Sequence, residues 1–125
     1  MNSLNLSHRD IKLDNIFVET TKNNEIKVKI IDFGFSHQSK SEDEMLKKFC
    51  GTPVYMPPEM IRKKPYNGHL ADIWSTGILF YTIMFGKPPF ESKREEDLYH
   101  KILRDPIKFP KNINFKEKRK SLENN

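Results

Sequence analysis

The sequence predicts a single domain, mainly α-helical with one small β-hairpin, and three observations carry that reading. The run "LADIWSTGILFYTIMFG" is apolar nearly all round, as a helix in the middle of a core is. Leu98 and Ile102 stand one helical turn apart within Lys93 to Arg104, which gives a second helix an apolar face. Near the start, "IFVE" and "IKVKIID" alternate apolar and polar residues on either side of "TTKNN", the pattern of two strands and a turn. A length of 125 residues suits one such domain and not two.

In chain order, the hairpin is expected from about Ile16 to Asp32, with Ile26, Val28 and Ile30 on a buried face and Lys27 and Lys29 opposite. Its effect is to carry Asp32 back beside Asp10 and Asn15. The following "GFSHQSKSEDEMLKKFCGTP" is polar, lacks a sustained period, and is expected to be a long loop. In the apolar helix, Ile78, Leu79, Phe80, Ile83 and Trp74 are expected in the core, and Gly86 with Pro88 and Pro89 supplies the stop. The second helix, Lys93 to Arg104, opens with Ser92 and Glu95 at capping-box spacing and closes at Asp105-Pro106. Residues 1–110 form the domain on this reading. Residues 111–125, with five basic and two acidic side chains, form a basic tail expected to be disordered.

Composition removes several classes. Nothing in "MNSLNLSHRD" resembles a signal peptide, and the longest uncharged stretch, Ile73 to Gly86, is shorter than the roughly 20 residues a membrane span needs. No membrane partner is expected, and the location expected is the cytoplasm or nucleus. One cysteine, Cys50, permits no internal disulfide and suits a reducing compartment. A net charge of +5 raises nucleic-acid binding as a rival, but no zinc site, stacking motif or helix-turn-helix signature accompanies it, so no nucleic-acid partner is expected.

The chemistry-bearing residues lie early. Asp10, Lys12 and Asn15, with Asp32 returned by the hairpin, give two carboxylates, an amide and an ammonium. Oxygen ligands of this kind suit a hard cation such as Mg²⁺, which binds through one or two carboxylates and substrate phosphates. A remaining carboxylate can orient a hydroxyl and accept its proton, while Lys12 neutralises developing phosphate charge. Gly34 fits a position of unusual backbone torsion.

"HRDIKLDN", "IDFG", "GTPVYMPPE", "DIWSTGILFY" and "GKPPF", in that order, resemble the C-terminal lobe of a eukaryotic serine/threonine protein kinase, over Leu6 to about Phe90. The resemblance implies ATP and Mg²⁺ as cofactors and transfer of the ATP γ-phosphoryl to a protein Ser or Thr hydroxyl. By it, Asp10 is the catalytic base, Lys12 serves catalysis and the nucleotide phosphates, and Asn15 and Asp32 hold Mg²⁺. Thr52 joins the hydrogen-bond group of Asp10 and Lys12. Lys12, two residues after the Asp, is the serine/threonine-type choice. His8, Gly34, Glu59, Asp72 and Trp74 take structural roles: His8 orients the catalytic loop and Asp72 bonds its backbone from the buried helix. Arg9 stands where some kinases dock a phosphorylated activation segment.

The sequence departs from the pattern at several places. Lys48 occupies the position, two before Cys50, where loop-phosphorylated kinases commonly place Thr, so Arg9 is expected to lack a phosphate partner. Pro57 replaces the usual Ala of "APE", and Thr82 is neutral where a second acid often assists Asp14 in reading basic substrates. No glycine-rich loop can be written with the five glycines, and the lysine-bearing strand, the glutamate-bearing helix and the helix before "HRD" are also missing. Loss of that last helix, if it buries about six apolar side chains, removes on the order of 10 kcal/mol, against a whole-domain stability of about 5–15 kcal/mol. The expectation is therefore a C-lobe fragment lacking the N-lobe, a truncated product inactive alone, with a complementary N-lobe or regulatory chain as partner beside ATP and a protein substrate. The alternative is a non-catalytic kinase-like fragment acting as a binding or regulatory module.

Overall fold

One helix organises the chain. In the computed structural model, which describes residues 4–111, the long apolar run forms α2, Gly68–Phe85. It begins two residues before the apolar run because Asn67 caps it. The Asn67 side-chain oxygen accepts the backbone N–H groups of His69 (3.0 Å) and Leu70 (3.1 Å), a bond type that contributes about 1 kcal/mol. It ends where expected: Gly86 adopts φ +78°, and its N–H returns to the Thr82 carbonyl at 2.8 Å.

The strands precede and frame it. In chain order they are β1 (Leu6–Ser7), β2 (Ile16–Thr20), β3 (Ile26–Ile30), β4 (His37–Gln38), β5 (Met45–Leu46) and β6 (Tyr66–Asn67). They pair as three antiparallel two-stranded sheets, β1 with β4, β2 with β3 and β5 with β6. The hairpin is β2–β3, in register from Ile16 opposite Ile30 to Thr20 opposite Ile26. The segment read as a long loop is thus interrupted by β4 and β5. Each is too short to leave a periodic signal, and each is held by a partner distant in sequence.

Two short helices complete the fold, α1 (Pro58–Ile61) and α3 (Glu95–Arg104). The core has two buried clusters. Leu46, Met56, Met60, Tyr66 and Ala71 form one, and Ile78, Phe90, Leu98 and Ile102 the other; Ile61 packs against both. Leu98 and Ile102 therefore share the buried face of α3 as their spacing requires. Trp74 packs against the second cluster. Each fully buried side chain of this size contributes about 1.5–3 kcal/mol.

Four expectations need correction. Phe80 and Ile83 are not core: they are 64% and 56% exposed, because only one side of α2 meets described elements. The hairpin has no buried face; Ile26 and Val28 are exposed, since no described element packs over it. The capping box at Ser92 and Glu95 does not form: α3 starts at Glu95, and its N-cap, Arg94, makes no side-chain cap bond. Three acidic residues in the first turn, Glu95, Glu96 and Asp97, support that end instead. Gly34 is not in the left-handed region; among the described residues Gly51 and Gly86 are the glycines with positive φ. Among the described residues no helix is long and apolar enough to cross a membrane. The basic tail lies outside the described residues beyond Lys111.

Candidate active site

Two segments distant in sequence meet at Asp10. The Thr52 hydroxyl donates to Asp10 Oδ1 at 2.8 Å and accepts from Lys12 Nζ at 3.0 Å. Lys12 Nζ also lies 3.7 Å from Asp10 Oδ2. Asn15 Nδ2 donates to the Asp10 carbonyl (2.8 Å) and, at 3.3 Å, to Oδ2. Asp10, Lys12, Asn15 and Thr52 are therefore one hydrogen-bonded group. Oδ1 is firmly held, whereas Oδ2 has only long contacts and is the oxygen freer to accept a proton from an incoming hydroxyl. Thr52 fits there because Gly51 lets the chain close in. Gly51 has φ +105°, and a Cβ on it would stand 2.8 Å from the Arg9 carbonyl.

The loop bearing Asp10 is gripped from α2. Asp72, buried, accepts the His8 N–H on Oδ2 (2.7 Å) and the Arg9 N–H on Oδ1 (2.8 Å). Burial pushes the Asp72 carboxyl above its ordinary range, and the two backbone bonds oppose that rise. The grip holds Arg9 at φ +65°, a left-handed torsion uncommon for a residue other than glycine. His8, fully buried, uses both ring nitrogens: Nδ1 accepts from the Asp10 N–H at 3.2 Å, and Nε2 stands 3.0 Å from the Ile31 carbonyl. A hydrogen on Nε2 serves both bonds.

That last contact positions Asp32. The Ile31 N–H donates to the Asn15 carbonyl at 2.9 Å, so residue 31 is pinned by Asn15 on one side and by His8 on the other. The His8 ring meets the Phe33 ring edge-on at 4.8 Å. Between pinned neighbours, Asp32 takes φ +60° and is exposed, with Oδ1 accepting from the Gly34 N–H at 3.2 Å. Gly34 matters by closeness: its Cβ would lie 3.1 Å from that oxygen. The unusual torsion expected at Gly34 sits on Asp32.

The donor set fits a magnesium ion. Asn15 turns its Nδ2 toward Asp10, which leaves Oδ1 on the other side of the amide, and Asp32 offers exposed carboxylate oxygens. Two hard oxygen donors suit Mg²⁺, which completes its shell with phosphate oxygens and water. Among the described residues no group of three or more His, Cys, Asp or Glu could hold a metal, so Asn15 and Asp32 would supply only part of an ion's shell.

The remaining expected residues lie around this group. Arg9 is 8% exposed, and its guanidinium bonds two neutral oxygens, the Phe35 carbonyl from Nε (2.6 Å) and the Tyr66 hydroxyl from Nη1 (3.2 Å). Glu59 is half-buried in the first turn of α1 and enters no ion pair among the described residues. Trp74 is half-buried, its Nε1 without a hydrogen-bond partner among the described residues. Three contributors escaped the sequence reading. Tyr66, 1% exposed, receives Arg9 and donates to the Lys48 carbonyl at 2.6 Å. Ser75 on α2 donates to the Tyr55 carbonyl at 2.8 Å, and the Tyr55 hydroxyl accepts from the Leu13 N–H at 3.4 Å. Nothing local marks these residues, since each acts on a partner 18 or more positions away.

Comparison with known proteins bears on this arrangement. The sequence matches the protein kinase domain family over residues 1–124. It is 40% identical over 114 residues to serine/threonine-protein kinase PLK1 of Xenopus laevis, covering 91% of this chain and 18% of that protein. It is 36% identical over 115 residues to serine/threonine-protein kinase PLK4 of Drosophila persimilis, covering 92% and 14%. It is 39% identical over 117 residues to serine/threonine-protein kinase 33 of Mus musculus, covering 87% and 23%. The chain thus spans about a fifth of the length of these relatives.

Proposed function

The chain belongs to the protein kinase domain family, and on that premise we propose that it supplies the catalytic-loop half of a serine/threonine protein kinase. The observation that carries this reading is the bond group at Asp10, in which Thr52, itself held by Lys12, fixes one carboxylate oxygen while the other has only long contacts. In this reading Asp10 orients the acceptor hydroxyl through Oδ2 and takes its proton as the phosphoryl group transfers. Lys12 lies beside that oxygen and offsets negative charge that develops on the phosphoryl oxygens. Asn15 and Asp32 would hold Mg²⁺, which when bound would supply positive charge against the nucleotide phosphates. His8, Asp72 and Gly51 keep these groups in place without touching substrate. Residues 1–110 correspond in this reading to C-lobe sequence. The nucleotide is covered by elements supplied from outside the described residues, within the same protein or by a complementary chain.

The test is transfer of labelled γ-phosphate from Mg²⁺-ATP to serine, threonine and tyrosine peptides by the protein together with its nucleotide-covering elements, in one polypeptide or as a complementary chain. Transfer to serine or threonine peptides, abolished by Asp32→Ala and by Asp10→Asn, is the expected result. Absence of transfer from that folded wild-type assembly would favour a non-catalytic binding module, and transfer that survives Asp32→Ala would remove Asp32 from the ion site.

A further inference from the structure

The Tyr66 phenol is the point at which three parts of the molecule meet. It sits in β6, directly before α2, and its ring is 1% exposed within the first buried cluster. Its oxygen accepts from Arg9 Nη1 at 3.2 Å, donates to the Lys48 carbonyl at 2.6 Å and lies 3.9 Å from Cys50 Sγ. Arg9 belongs to the loop that carries Asp10, and Lys48 and Cys50 to the segment that carries Thr52. From Lys48 the chain runs through Cys50 to Gly51, which packs against the Arg9 carbonyl, and then to Thr52, whose hydroxyl meets Asp10. The phenol therefore fixes one end of a short span whose other end is the Thr52–Asp10 bond.

The other side of Arg9 reinforces this. A guanidinium this buried is costly without partners, and among the described residues it enters no ion pair. Its stabilisation comes from the Phe35 carbonyl and the Tyr66 oxygen, both neutral. Phe35 also receives the Lys48 ammonium over its ring, 5.5 Å from the centroid. Arg9, Phe35, Lys48 and Tyr66 thus close on one another and join the two ends of the segment between Phe33 and Thr52.

We propose that Tyr66 is a positioning residue for phosphoryl transfer: its hydroxyl, by bridging Arg9 to the Lys48 carbonyl, holds Thr52 on Asp10 with no modification of the segment required. This inference rests on the phosphotransferase reading of the Asp10 group.

Tyr66→Phe keeps the ring and removes only the bridge. Two measurements test it, digestion of the full chain and transfer by the chain together with its nucleotide-covering elements. The first is limited trypsin digestion under native conditions, since the bond after Lys48 contains the very carbonyl that Tyr66 holds. Cleavage there should accelerate about tenfold or more in the variant, as expected when a bond to the opening segment is lost, while cleavage at Lys27 and Lys29 in the hairpin stays as in wild type. The second is transfer kinetics: kcat should fall by about tenfold to a hundredfold, the cost of a small misplacement of reacting groups, with KM for ATP unchanged. Phosphatase treatment should leave wild-type activity as it was. Equal cleavage after Lys48, uniform acceleration at every site, an unchanged kcat, or activity lost to phosphatase would each overturn the proposal. If the wild-type protein transfers no phosphate, the phosphotransferase reading falls, the positioning role falls with it, and the digestion still decides whether the bridge exists.

Discussion

Replacing Asp72 with Ala tests the grip of α2 on the Asp10 loop most directly. Two N–H groups, of His8 and Arg9, donate to the carboxylate at 2.7 and 2.8 Å. The carboxylate is buried, and His8 and Arg9 are buried with it. Each N–H left without an acceptor costs about 1–3 kcal/mol, so two cost about 2–6 kcal/mol. Relief of burying a carboxylate offsets part of that, and Arg9 can relax from φ +65° once released. A net loss of about 3 kcal/mol is expected, a large share of the roughly 5–15 kcal/mol that stabilises a domain. With a urea slope of about 1–3 kcal/mol per molar, the unfolding midpoint should drop by roughly 1–3 M. The sign of the pH effect is fixed by the raised carboxyl pKa of Asp72, caused first by burial. A carboxyl that holds its proton more tightly folded than unfolded contributes fully below its ordinary value of 3.8, and that contribution is lost as pH rises through the folded value. The wild-type advantage over Asp72→Asn should therefore narrow as pH increases across that interval. A midpoint within about 0.3 M of wild type for Asp72→Ala, or an advantage over Asp72→Asn that widens with pH, would refute the reasoning.

Three further outcomes follow from packing and titration. A Cβ at Gly68 would stand 2.4 Å from Ser7 Oγ and 2.7 Å from Ser7 Cβ, so Gly68→Ala should cost about 1–3 kcal/mol by wedging α2 from β1. Gly77→Ala meets nothing within 4 Å on an exposed helical position and should gain about 0.5–1 kcal/mol; thermal unfolding of the pair checks both signs. The Tyr99 phenol, pushed up to about 12 by burial and by its 2.7 Å bond to Glu95, should ionise well above the ordinary tyrosine value of 10 in an ultraviolet titration. Tyr99→Phe should delete that step, and a Tyr99 ionisation near 10 contradicts the placement.

Much of this arrangement could be read from the sequence where the signal was local. The hairpin, the stop at Gly86 and the buried pair Leu98 and Ile102 follow from periodicity and from one glycine. The placement of Asp32 followed from the hairpin, whose register sets residue 31 against Asn15. Residues whose effect lies far along the chain were not legible. Tyr66 reaches Lys48, and Ser75 reaches Tyr55, through tertiary packing that leaves no periodic trace. Phe80 and Ile83 misled for a related reason. An apolar helix reports the potential to be buried, and the described elements cover only one side of it. Gly34 misled because glycine serves two ends, free torsion and close approach, and composition does not say which.

Among the described residues the β2–β3 hairpin is anchored at one end. Its root is tied through the Ile31–Asn15 bond to the groups proposed to hold the ion, whereas its far turn, Thr21 to Glu25, is closed by its own Thr21 and Glu25 backbone. Lengthening a loop costs little free energy, about 0.6 kcal/mol per doubling. The turn is thus a place where inserted residues, a fluorophore or an affinity handle leave the chemistry undisturbed, while a single-residue slip at the root would turn every side chain of the ribbon over and carry Asp32 away from Asn15.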